Sequence, residues 1–307
     1  MLSCRLYAKL LAVTHPLLIL MPKPLHSSNA MPQPILNPIQ ATQKRWQAFV
    51  MAVGIAITLG GTLYANPVSA EPPETAPTAL KETLTAIDKA ASSHNIQSIL
   101  TFYSPTFIHS DGLTRQTLEQ ALTKLWKRYP NLTYRTELKS WKSQGKGITA
   151  ETVTYVTGVQ KVGERELKID STLQAQQQFE NQKIVRQDIL AERSQITSGT
   201  NPPTVKLNLP EQVNAGQQFS FDAVVQEPLG NDLLLGTALE EPVKADGLIN
   251  PTTVDLELLS AGGIFKVGRA PLTANSHWIS AVLVRQNGMT MVTQRLRIVN
   301  RAKKPTP

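Results

Sequence analysis

His109 and Asp111 stand two residues apart in the segment Phe107-Ile-His-Ser-Asp-Gly112. On an extended backbone successive side chains alternate, so the imidazole and the carboxylate share a face. A His–carboxylate pair is the smallest equipment for acid–base chemistry, one group giving a proton where the other takes it. The same residues have a plainer reading, in which Ser110-Asp111-Gly112 is a turn: Asp accepts backbone hydrogen bonds and Gly supplies positive φ. Asp188 is either a polar group of the same pocket or a solvated strand residue. The aromatics Phe102, Phe107, Trp126, Tyr129 and Tyr134 suit a pocket for a flat or apolar ligand, and their spacing suits core packing equally well. Tyr103 joins the candidates as polar lining. Trp126 and Tyr134 are the stronger pocket residues, because each carries a polar group that needs a partner when buried.

Other chemistries lack their residues. Apart from His109, the histidines after the leader are His94 and His277, in separate elements and without metal-ligand spacing. No G-x-S-x-G nucleophile elbow occurs. Ala261-Gly-Gly263 lacks the Lys-Ser/Thr of a phosphate loop and reads as a hairpin turn. The single cysteine, Cys4, falls in the leader, which excludes a disulfide, a thiol nucleophile or a thiolate metal site from the mature chain. No cofactor and no metal are expected.

The leader itself is the clearest segment. Lys44 and Arg45 precede the apolar run Ala48–Ala65, and Val68-Ser69-Ala70 supplies the small residues a signal peptidase reads. Cleavage near Ala70–Glu71 exports the chain to a periplasm, a thylakoid lumen or the medium; left uncleaved, the run is a membrane anchor and the only membrane contact. Five of the 31 basic residues (Arg5, Lys9, Lys23, Lys44, Arg45) leave with the leader, so 26 remain against 23 acidic, a net +3. That balance gives no nucleic-acid partner.

The remaining length suits two domains. After a signal peptide with an N-terminal extension (1–70) and a Pro-rich entry (71–77), a first domain spans 78–196. Leu80, Leu84, Ile87 and Ala91 predict a helix over Thr78–Ser93; Asn95 caps a short second helix, and Thr114 a third carrying Leu118, Leu122, Leu125 and Trp126. From Leu132 the period becomes alternating, and four strands follow: Leu132–Leu138, Ile148–Val159, Leu167–Phe179 and Lys183–Arg193. Residues 197–204 read as a linker. Short strand-like runs over 205–300, bounded by Gly, Pro or Asn, predict an all-β sandwich, and 301–307 a disordered tail.

The order of three helices, the 107–112 segment and a four-strand meander, with Tyr103-Ser-Pro-Thr-Phe107 and Asn181-Gln-Lys-Ile-Val-Arg-Gln-Asp188, resembles the nuclear transport factor 2-like (SnoaL-like) superfamily. The resemblance implies an α+β fold, a cone-shaped domain with three helices on a curved antiparallel sheet enclosing a pocket. It also places Asp111 near the base of isomerase-like members, with His109 as its acid–base partner in dehydratase-like ones. At the position of their oxyanion-donating Tyr this chain has Ile87. The run Val205-Lys-Leu-Asn-Leu-Pro through Ala215-Gly to Phe221 resembles the opening of bacterial immunoglobulin-like domains.

Three functions follow. The first is a non-catalytic exported protein that binds a small apolar ligand or an envelope protein, with the immunoglobulin-like domain for docking. The second is an isomerase-, dehydratase- or cyclase-like enzyme using Asp111 and His109. The third is a structural dimer. A homodimer is expected because the last strand of the first domain shows apolar residues on both faces, Val185 and Ile189 on one, Ile184 and Leu190 on the other.

Overall fold

The computed structural model describes residues 70–244 and 255–300. The leader over residues 1–69 and the tail over 301–307 lie outside the described residues. A short 3₁₀ turn (Pro73–Thr75) leads into three helices, α1 (Thr78–Ser92), α2 (Ile96–Thr101) and α3 (Arg115–Arg128). Helix α1 buries Leu80, Leu84 and Ala91, so its apolar stripe is the one the 3.6-residue period marks. The Asn95 side chain accepts from the Ser98 N–H at 2.9 Å and starts α2. At α3, Thr114 and Thr117 form a reciprocal capping box.

Between α2 and α3 runs β1 (Tyr103–His109). Four long strands follow in a meander: β2 (Thr133–Gln144), β3 (Gly147–Val162), β4 (Arg165–Glu180) and β5 (Lys183–Gly199). The C-terminal half contributes β6 (Val205–Asn208), β7 (Gln212–Asn214), β8 (Gln218–Val225), β9 (Leu235–Pro242), β10 (Glu257–Leu258), β11 (Gly263–Arg269), β12 (Asn275–Arg285) and β13 (Gly288–Val299).

These strands correct the expected architecture. A four-stranded cone next to a separate immunoglobulin-like sandwich is not what forms. One open sheet runs β10-β9-β12-β13-β5-β4-β3-β2, with β1 added on β5 and β7 on β13, ten strands in all; β11-β8-β6 make a second, three-stranded sheet. Among the described residues the fold is α+β, with three helices and two sheets that are antiparallel except where β1 joins β5 and β7 joins β13, and the larger sheet is neither closed nor confined to the N-terminal half. The cause is the far end of β5. Residues 193–199 pair with β13 from Arg193↔Gln294 to Gly199↔Gly288. Ser194, Ile196 and Ser198 alternate inward and are buried. Two of those three are serines, which carry no apolar signal, so the alternation is invisible to hydropathy and the stretch looks like the start of a linker.

Two β-bulges in β5 change a second reading. In its register with β4, Ala175 pairs with Ile189 and Gln174 with Ala191, while Phe179 pairs with Ile184 and Gln178 with Arg186. Leu190 and Val185 are the extra residues, and each bulge shifts the alternation by one. Ile184 and Ile189 therefore point to the same, buried side. The two-faced apolar pattern behind the dimer expectation is a product of the bulges.

Strands β12 and β13 are buried on both faces. Ile279, Ala281, Leu283, Val292 and Leu296 pack on Phe219, Phe221, Ala223 and Ile264 of the small sheet. Val282, Met289 and Met291 belong instead to the core beneath the helices, with Leu167, Ile169 and Ile196. Residues of the C-terminal half thus form part of the first core.

Candidate functional site

A cavity of about 80 Å³ lies between the helices and the inner face of the large sheet, space for several waters or a small organic group. Its helix wall is apolar except for Asp88, with Leu84, Ile87 and Ala91 from α1 and Leu122 and Leu125 from α3. Its sheet wall is polar, and register explains why. His109 in β1 lies opposite Gln187 in β5, and Gln187 lies opposite Gln177 in β4. The three side chains form one row across three adjacent strands. All three are buried, and His109 Nε2, Gln177 Oε1 and Gln187 Oε1 have no hydrogen-bond partner. A buried polar atom left unpaired costs about 1–3 kcal/mol, so three in one row mark a place built to meet something polar.

His109 is the last residue of β1, and the chain turns directly after it. Gly112 donates its N–H to the His109 carbonyl at 2.9 Å and takes φ +80°. The segment is a turn, with Asp111 beyond the end of β1, and His109 and Asp111 both line the cavity. The turn aims the Asp111 N–H at His109 Nδ1, 3.1 Å away. Because Nδ1 accepts, the neutral ring carries its proton on Nε2, a buried atom with no partner. Burial pulls the His109 pKa down to about 4, with the Asp111 charge opposing and the Arg295 charge assisting. At neutral pH the ring is an uncharged hydrogen-bond donor.

The Asp111 carboxylate does not bond the ring; Oδ2 stands 3.8 Å from Nδ1. Its oxygens accept from Arg295 of β13, at 2.9 Å from Nη1 and 2.8 Å from Nη2. Burial would raise this carboxyl, but the hydrogen bonds and charge of Arg295 outweigh it and hold it below the ordinary carboxylate value. Arg295 also donates to Glu192 Oε2 of β5 through Nε at 3.2 Å and Nη2 at 2.9 Å. The same oxygen accepts from the Trp278 indole N–H of β12 at 2.9 Å. The Arg295 and Glu192 side chains are 2% and 4% exposed, so this is an interior ion network. It stands where β5 changes neighbour, from β1 up to Gln187 to β13 from Arg193 onward. A buried His–Asp pair with a second carboxylate close by is consistent with either binding or catalysis.

A second carboxylate lines the cavity from α1. Asp88 accepts from the Thr136 N–H and hydroxyl, both at 2.6 Å. Burial raises its pKa, and the Thr136 hydrogen bonds offset part of the rise.

The other predicted residues are dispersed. Tyr103 and Tyr134 line the cavity. Burial pushes the Tyr103 phenol up, and Tyr134 Oη accepts from the Trp126 indole at 2.9 Å. Trp126 therefore braces the pocket from behind, stacked on His94 at 5.1 Å between ring centroids. Phe107 meets Tyr103 and His109 edge-on and belongs to the core. Asp188 sits on the opposite side of β5 from Gln187, held by Arg186 through two 2.7 Å hydrogen bonds.

Asp88, Gln177, Gln187, Glu192, Trp278 and Arg295 escaped the sequence reading. Asp88 carried a signal, an acid at a stripe position between Leu84 and Ala91. Arg295 carried none that names its partners, 184 residues from Asp111 and 103 from Glu192.

Comparison with known proteins adds little weight. Residues 200–299 match the family described as "Domain of unknown function (DUF8623)". No curated protein matches the chain. Among solved structures, Bd1075 of Bdellovibrio bacteriovorus is 15% identical with a TM-score of 0.26, covering 36% of this chain, which spans only 38% of that protein. An LEH-like epoxide hydrolase of M. tuberculosis is 9% identical, with a TM-score of 0.27 and coverage of 36% and 81% of the two chains. A protein with a ketosteroid isomerase-like fold from Catenulispora acidiphila is 13% identical, with a TM-score of 0.27 and coverage of 35% and 83%. The similarity to nuclear transport factor 2-like (SnoaL-like) structures is weak and confined to about a third of the chain, and an immunoglobulin-like domain over 205–300 finds no confirmation.

Proposed function

We propose that the cavity takes a small, largely apolar molecule bearing a carbonyl or hydroxyl oxygen, and that it serves proton transfer of the isomerase, dehydratase or cyclase kind. The observation that carries this reading is the unpartnered Nε2 of His109, a neutral donor on a ring that lines a cavity with apolar and polar walls. A neutral imidazole N–H stabilises negative charge developing on a substrate oxygen without giving up its proton. Asp111 is poorly suited to be the base, because Arg295 lowers its proton affinity. Asp88 is better suited: burial pushes its proton affinity up while that of His109 goes down, and groups driven apart in this way divide acid and base roles.

A carrier without chemistry is the second reading. It is favoured by the fact that both carboxylates at the cavity already have partners, Asp111 in Arg295 and Asp88 in Thr136.

The two are separated by incubating the purified protein with a panel of small cyclic ketones in heavy water and following α-deuteration by NMR. The enzyme reading expects accelerated exchange on at least one bound ketone, reduced by about 100-fold or more in Asp88→Asn and His109→Phe. Binding without exchange establishes the carrier, and no binding of any ketone removes this ligand class.

A further inference from the structure

The site is completed from the C-terminal half, and one residue there governs what His109 can do. We propose that Arg295 is the positioning residue of the site: by clamping Asp111 it keeps the carboxylate off the His109 ring, so that Nδ1 stays an acceptor of the Asp111 N–H and the ring's proton stays on Nε2. The inference builds on the reading that His109 meets the ligand, but its geometry is independent of any ligand.

Three observations carry it. Asp111 Oδ2 is already 3.8 Å from Nδ1, so a shift of about one ångström would bring it to hydrogen-bond distance. A carboxylate at that distance draws a proton onto Nδ1, which turns the ring over to the other tautomer or charges it. What holds it away is a fork–fork pair with a guanidinium whose side chain is only 2% exposed. The clamp is itself held: Glu192 bonds Arg295, the Trp278 indole bonds Glu192, and the guanidinium lies 5.8 Å from the Trp278 ring centroid. Trp278 also lines the cavity, so β12 and β13 supply both a wall and the charge that orients the donor. The charged and titratable groups around the ring are Asp111, Arg295 and, across β5, Asp188, with Asp88 and Tyr103 on the same cavity.

The test is long-range ¹H–¹⁵N NMR of the histidine rings in the full chain, which reports tautomer and charge directly, with His109→Gln assigning the signal. Wild type is expected to hold the Nε2–H neutral ring from neutral to mildly acidic pH. In Arg295→Met the ring is expected to take a proton on Nδ1 or to bind protons at least about ten-fold more tightly. Adding Asp111→Asn to Arg295→Met is expected to restore the wild-type spectrum, which loss of packing alone cannot do. An Nδ1–H ring in wild type, or an unchanged ring in folded Arg295→Met, overturns the proposal. Should the single variant not fold, the double variant Asp111→Asn/Arg295→Gln decides, since a charged or Nδ1–H ring there also overturns it. Failure of the ligand reading shows separately, as wild type with the expected ring that binds none of the ketones.

Discussion

At the scale of single residues, His109 makes a pH-dependent contribution whose sign is fixed by burial. In the unfolded chain an imidazole binds its proton near 6.5, and in the folded chain only near 4. As pH falls between those values the unfolded state takes up a proton the folded state refuses, so stability that is complete above 6.5 is lost on acidification. The loss amounts to roughly 3 kcal/mol by pH 4. Urea unfolding at neutral and mildly acidic pH is expected to show it, and His109→Gln to flatten most of that slope; an equal slope in the variant would contradict the buried neutral ring. Asp111 acts lower on the scale, its contribution being lost only as pH falls through a value below the ordinary carboxylate range. The nearness of this pair, though not its chemistry, was legible in the sequence, because two residues at i and i+2 need no tertiary information to be neighbours. The modifier of that chemistry was not, because Arg295 reaches Asp111 only through the pairing of β13 with β5.

At the scale of elements, the junction of β5 and β13 depends on backbone proximity. Gly199 takes φ +98°, and a Cβ there would run into the Asn287 carbonyl and the Gly288 Cα. Gly199→Ala is therefore expected to destabilise the chain by about 2 kcal/mol or more, combining a left-handed φ with a clash against main chain. Chemical denaturation checks it, and a change under about 0.5 kcal/mol, the usual range of a neutral surface substitution, would mean the junction yields easily. Helices and strands were legible where periodicity is apolar: α1, α3 and the meander stand close to where the pattern put them. Legibility stopped where alternation is written in Ser, as in 194–198, and where bulges at Val185 and Leu190 reverse the parity of a strand.

At the scale of the whole molecule, a shared sheet replaces the expected pair of domains joined by a linker. Elements that exchange main-chain hydrogen bonds and a buried ion network unfold together. Single-tryptophan variants keeping either Trp126 or Trp278 are expected to report the same denaturant midpoint, coincident with the far-UV circular dichroism. Two separated midpoints would show that the β5–β13 seam is weak. The seam also bears on dissection of the chain. A fragment carrying 70–199 alone would leave the Asp111 and Glu192 carboxylates without their counter-ion, and one carrying 200–300 alone would bare Met289, Met291 and Val282 to water. Each half thus lacks part of what its buried groups need, and neither is expected to fold to this structure when cut from the other.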